Sequence, residues 1–253
     1  LDKNDVPGST HIICEAVTLA PTKYAGPGMD CHVDMLFVMD GSGSVQPSQW
    51  TTMVDTTGKI ADEFQFGCDG GAKPLAKMGI IQFSMPMNGK GAANTEQEMT
   101  CSKSDFDTSR TAMKQQKGFT HTGDALATAD LEVMARGRPG ASKHIVLITD
   151  GVPCTMQNAA TCSNLHPPLP DKGQMDKAKY EANRLKSLGV TITVVEIGTG
   201  FGNKADEFFK AISSPGHWFH PQSFDQFPGL VFDLAHSVCN DGRHTVAPSG
   251  SPV

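Results

Sequence analysis

The segment Met39-Asp40-Gly41-Ser42-Gly43-Ser44-Val45 carries one carboxylate and two hydroxyls at alternate positions, with glycines between them. Glycine lets a backbone turn tightly, so one short loop can aim Asp40, Ser42 and Ser44 at a common point. A donor set made only of oxygen suits a hard divalent cation: Mg²⁺ first, with Mn²⁺ or Ca²⁺ as the other choices. A second carboxylate, Asp150, stands in Thr149-Asp150-Gly151 directly after another apolar run. A Ser/Gly turn after a strand is common in its own right, so the reading depends on the elements that place these residues.

Those elements alternate. Met35-Leu36-Phe37-Val38 predicts a buried strand over 34–39, and Pro47 marks where a helix opens. Trp50, Met53, Val54, Thr57, Ala61 and Phe64, three or four apart, stripe that helix, which stops near Gly67. Residues 76–83 read as a second buried strand, and the polar segment 95–101 suits an edge strand returning as its hairpin partner. Helices are expected over 106–117 and 121–135, ended by Gly137 and Pro139-Gly140. His144 to Thr149 is a β-branched apolar run suited to a central parallel strand. A helix marked by Met175, Ala178, Ala182 and Leu185 follows, then a strand over 190–197, a helix over 204–212 and a short strand at 218–220. Phe224, Phe227, Val231, Leu234 and Val238 stripe a last helix, with Pro228 in the first turn, where proline is tolerated.

Such alternation predicts a mostly parallel sheet covered by helices on both faces. In such sheets ligands sit at the carboxyl ends of the strands, where the strand order reverses direction. If the strands ending at Asp40 and Asp150 are neighbours, the two carboxylates meet.

The 253 residues, 38% hydrophobic, suffice for one sizeable core. A formal net charge of -6 argues against a polyanionic partner such as nucleic acid. No apolar run approaches the roughly 18 residues that a membrane span needs. The chain opens on Leu1 and reads as a processed or excised piece of a larger, multi-domain protein. The Pro- and Gly-bearing residues 1–30 are expected to form an arm, 31–239 the domain, and 240–253 a linker-like tail. Seven cysteines indicate an oxidising, extracellular setting. They include no C-x-x-C zinc pair, and the sequence has no Asn-x-Ser/Thr acceptor.

Taken together, Asp40-Gly-Ser42-Gly-Ser44, the Gly118-Phe119-Thr120-His121-Thr122-Gly123 loop and Thr149-Asp150-Gly151 resemble the three metal-binding loops of the von Willebrand factor A, or integrin I, domain family. The likeness runs from about Val33 to Val238 and includes the stretches Ala205-Asp206-Glu207-Phe208 and Ser214-Pro215-Gly216-His217. It implies a doubly wound, Rossmann-like sheet of six strands in the order 3-2-1-4-5-6, with strand three antiparallel. It further implies that Ser42, Ser44 and Thr120 offer hydroxyl ligands and that Asp40 and Asp150 bind the cation directly or through water. Two carboxylates against one divalent ion leave the site near neutral, so the metal can accept one more anionic oxygen, such as a Glu or Asp of a protein or matrix partner. The implied function is extracellular, metal-dependent adhesion. The alternatives are a structural domain of an extracellular filament or coat and, less favoured, a regulatory subunit of an intracellular enzyme.

In the implied topology, Cys31 and Cys239 lie at the end of the sheet opposite the metal, as in family members whose domain ends are clamped, and Cys68 and Cys101 also meet there. Cys154 and Cys162 share one loop, which leaves Cys14 over. In related domains ligand binding is coupled to a shift of the last helix, so a Cys31–Cys239 bond is expected to tether that helix. An enzyme would need a positioned base in a lined pocket; His121, the nearest histidine, reads as an exposed loop residue. Gly198-Thr-Gly200-Phe-Gly202 lacks the full dinucleotide-binding spacing, there is no P-loop, and Ser42 does not sit in a Gly-x-Ser-x-Gly elbow.

Overall fold

A computed structural model describes residues 31–68, 75–85, 91–156, 170–199 and 202–240. The expected arm over 1–30, the tail after Asn240, Cys14 and Cys162 lie outside the described residues. Six strands form one sheet: β1 (Val33–Asp40), β2 (Ala76–Phe83), β3 (Ala93–Thr100), β4 (Ser142–Thr149), β5 (Val190–Glu196) and β6 (Trp218–Phe219). Their order is β3-β2-β1-β4-β5-β6, parallel throughout except for β3 against β2.

β1 is buried along its whole length and feeds two cores, because successive side chains point to opposite faces. Met35, Phe37 and Met39 pack with α1 (Pro47–Asp62), α2 (Lys103–Ala112) and α6 (Val231–Asn240), through Trp50, Met53, Phe106 and Leu234 among others. Leu36 and Val38 share the opposite core with α3 (Thr122–Arg136), α4 (Lys172–Ser187) and α5 (Asn203–Ile212), through Leu126, Val133, Leu185 and Phe208. With helices on both sides, continuous apolar strands are what a central parallel sheet requires. β3 is the exception, mostly half-exposed and polar as an edge should be.

Two helices differ from the periodicity reading. The one expected over 106–117 begins earlier, where the Ser102 side chain accepts from the Asp105 N–H at 3.2 Å, and stops at Ala112. Beyond it, residues 113–121 leave the helix because their polar groups are held by other elements. Gln82 Oε1 accepts from the Gln116 N–H at 2.8 Å, and its amide nitrogen donates to the Lys114 carbonyl at 3.1 Å. The last helix is preceded by a separate 3₁₀ turn, Phe227–Leu230, which contains Pro228.

At the end of the sheet where β1 begins, disulfides join Cys31 to Cys239 and Cys68 to Cys101. Cys154 is disulfide-bonded as well, and its expected pairing with Cys162 lies outside the described residues. An ion pair invisible to the sequence reading also lies at this end. Asp34, fully buried on β1, receives Arg138 Nε at 2.7 Å, and the same guanidinium donates to the carbonyls of Gly67, Val33 and Leu75 at 2.8 to 2.9 Å.

Candidate metal centre

β1 and β4 run side by side with Met39 opposite Ile148, so Asp40 and Thr149 emerge together at their carboxyl ends. Thr149 Oγ1 donates to Asp40 Oδ2 at 2.6 Å, and the Ser42 N–H donates to Asp40 Oδ1 at 2.9 Å. Asp40 is thereby fixed in the interior with both oxygens engaged. Ser42 and Ser44 hydroxyls lie 2.9 Å apart, and Ser44 Oγ donates to Asp150 Oδ1 at 2.7 Å. The oxygens of Ser42, Ser44 and Asp150 thus form one continuous chain, although Asp150 lies 106 residues from Ser44.

The loop that carries Thr120 docks on the first through its backbone. The Lys117 N–H donates to the Gly41 carbonyl and the Gly43 N–H to the Gly118 carbonyl, both at 2.9 Å. Lys117 takes φ 55°, in the left-handed region unusual for a residue with a side chain. Gln115 Nε2 clamps the same loop by donating to the carbonyls of Ser42 at 2.9 Å and Val45 at 2.7 Å. Thr120 is buried, and its carbonyl accepts from the Cys154 N–H at 2.9 Å, which ties it to the loop that follows Asp150. A Cβ at Gly41 would stand 2.2 Å from Gln82 Oε1, so a larger residue there displaces the amide that holds residues 113–121. The sequence reading named neither Gln82 nor Gln115. Glutamine is unremarkable in a sequence, and the signal available was a single amide within the apolar run 78–83 of β2.

His121 departs from its expected place as an exposed loop residue. It is buried at the start of α3, because Asp124 one turn on and Gln174 from α4 close over the ring. Its Nδ1 lies 2.8 Å from Asp124 Oδ2 and 3.3 Å from Gln174 Nε2. Hydrogen bonds from His121 first, and then from Lys177 and Gln174, hold the Asp124 carboxyl below the ordinary carboxylate range.

The electrostatics of the centre are those of two acids forced together. Burial raises the Asp40 carboxyl above its usual range, opposed by hydrogen bonds from Thr149 and Ser42. Burial, and after it the charge of Asp40, raises Asp150. Among the described residues no Lys, Arg or His forms an ion pair with either acid. Two adjacent carboxylates without a counter-charge, bordered by hydroxyls, fit a hard divalent cation by donor type and by charge. A shallow depression lined by Gln49, Asp150, Ile197, Gly198, Gln222 and Phe224 opens beside Asp150.

Comparison with known proteins agrees with this architecture. The von Willebrand factor type A domain profile matches residues 34–232. The chain is 24% identical over 213 residues to the collagen alpha-4(VI) chain of Mus musculus, covering 82% of this chain and 8% of that protein. It is 28% identical over 216 residues to von Willebrand factor A domain-containing protein 1 of Mus musculus, covering 83% of this chain and 43% of that one. It thus spans less than half the length of either relative. Among solved structures, that of proximal thread matrix protein 1 from the mussel byssus with zinc occupied MIDAS motif superposes with a TM-score of 0.61 at 23% identity, over 83% of this chain and 46% of that one. That likeness concerns the fold. With the profile covering most of the sequence and the strand order in agreement, the chain belongs to the von Willebrand factor type A domain family.

Proposed function

We propose that this domain is an extracellular, metal-dependent protein-binding module in which Asp40, Ser42, Ser44, Thr120 and Asp150 hold a divalent cation, Mg²⁺ by preference and Mn²⁺ or Ca²⁺ as substitutes. The observation that carries the reading is the meeting of two uncompensated carboxylates with two hydroxyls on loops far apart in the chain. When bound, the cation supplies an electrophilic position for one carboxylate oxygen of a Glu or Asp on a protein or matrix partner.

The chain's own residues do the rest. Asp40 and Asp150 neutralise the ion, while the uncharged hydroxyls orient it without weakening its pull on a further anion. Gln115 and Gln82 hold the loop over 113–120 against the first, and in this reading Thr120 offers its hydroxyl from that stable backbone. The names of the relatives, a collagen VI chain and a byssal thread matrix protein, favour binding over catalysis, an extracellular location and a place within a larger protein. They equally favour a second reading, a domain whose contacts serve assembly of a filament or matrix.

Calorimetric titration with Mg²⁺ and Mn²⁺, on this chain and on Asp150→Ala, separates the two. The binding module takes up one equivalent of metal. Its affinity falls in the variant by at least the roughly 10–100-fold that losing an outer-sphere partner alone costs. A parent chain that binds neither ion refutes the metal-dependent reading and leaves assembly as the function.

A further inference from the structure

One strand beyond the centre just described, Glu196 closes β5 opposite Thr149. It is the one charged residue of that strand, fully buried at its end. Oε2 accepts from the Trp218 indole N–H at 3.0 Å, whereas Oε1 is buried with no hydrogen-bond partner. An orphaned carboxylate oxygen in the interior is costly and calls for an explanation.

Two further metal-ligating groups face it. Asp206, in the first turn of α5, and His220, just after β6, each bring a ligand atom to within 4.8 Å of Glu196 and of one another. None of the three forms an ion pair within 4.0 Å among the described residues, so a salt bridge between His220 and the acids does not account for the cluster. The nearby ammonium of Lys210 lies over the Trp218 ring, 4.2 Å from its centroid, and acts on Glu196 from beyond ion-pair distance. His220 Nε2 lies 2.7 Å from the Gly198 carbonyl oxygen. A carbonyl only accepts, so Nε2 carries the proton and Nδ1 keeps the lone pair in the neutral ring. Metal-binding histidines are oriented in this way, by a hydrogen bond from the other ring nitrogen.

We propose that Glu196, Asp206 and His220 form a second cation site, separate from the one at Asp40, for Zn²⁺ or another first-row divalent ion that accepts imidazole. The mixed nitrogen and oxygen donors select against Mg²⁺, which favours an all-oxygen shell and keeps its waters. Three protein ligands leave one position for water or an outside donor. Metal bonds of about 2.0–2.2 Å place ligand atoms about 3–4 Å apart. The three side chains therefore draw together slightly on binding, and half-buried Asp206 is best placed to move. This site shares no ligand with the Asp40 centre, and the two stand or fall separately.

The test uses Asp150→Ala, in which the first centre is disabled, with Zn²⁺ titrated by calorimetry in millimolar Mg²⁺ and Co²⁺ followed by its visible absorption. One equivalent of Zn²⁺ binds. Adding Glu196→Gln or His220→Asn weakens it at least about 100-fold, since losing a ligand costs no less than losing an outer-sphere partner. His220→Asn also removes the nitrogen contribution to the Co²⁺ spectrum. Circular dichroism reports whether the buried Glu196 variant folds; if it does not, half-buried His220 and Asp206→Asn decide the outcome. Absence of stoichiometric Zn²⁺ binding in Asp150→Ala, or equal binding in folded His220→Asn and Asp206→Asn, overturns the proposal.

Discussion

Replacing Arg138 by methionine is the sharpest test of what holds the sheet together at the end opposite Asp40 and Asp150. The side chain is only 12% exposed, its apolar stem is retained by methionine, and its guanidinium serves four acceptors on three segments. Loss of the head leaves Asp34 Oδ1 without a partner inside the core and three carbonyls short of a donor. Asp34 Oδ2 keeps the Arg138 backbone N–H. Breaking one side of a buried pair costs about 3–5 kcal/mol, mostly through the charge left behind. Hydrogen bonds to a charged donor contribute about 1.5–3 kcal/mol each and do not add, so the expected loss stays near 4 kcal/mol. That is a large part of a typical domain stability of about 5–15 kcal/mol. The assay is urea unfolding under oxidising conditions, with Arg138→Met, Asp34→Asn and the double variant forming a cycle. If the stranded charge is the cause, the double variant recovers stability relative to Arg138→Met alone. A loss below about 1 kcal/mol for Arg138→Met, or strict additivity in the cycle, refutes the reasoning.

Two further perturbations act on other parts of the frame. His144, fully buried on β4 with neither ring nitrogen partnered, is held down to about 3, by burial first and then by His217. The unfolded chain takes up this proton below about pH 6.5 and the folded chain only near pH 3, so stability is full above 6.5 and is withdrawn as pH falls through that window, by up to about 5 kcal/mol. His144→Leu is expected to flatten that part of the pH profile of urea midpoints; an unchanged slope would exonerate the ring. Removing both Cys31 and Cys239, 208 residues apart, releases a loop whose closure contributes about 5 kcal/mol in the chain-entropy model. The double Cys→Ala chain is expected to unfold at a correspondingly lower denaturant concentration. If the bond also tethers α6, its Mg²⁺ affinity shifts, and equal affinity in the two proteins speaks against a tether.

The sequence alone determined what local periodicity can encode. Apolar runs and three- or four-residue stripes specify strands and helices, and their alternation specifies a parallel sheet with two covered faces. Aspartates following two of those runs, with serines and glycines after the first, mark an oxygen-lined site because strand ends are where such sheets expose their loops. The path of residues 113–121 was not legible, because it depends on Gln82 reaching in from more than thirty residues away and on Gln115 reaching out to Ser42 and Val45, about seventy residues away. His121 looked like a loop residue until Gln174, 53 positions later, closed over it. The same holds for Asp34 with Arg138, 104 residues apart, and for Glu196, Asp206 and His220 on a strand, a helix and a loop. Their proximity follows from strand order and helix packing, which no single window of sequence contains, so their partners were decided only when the chain closed on itself.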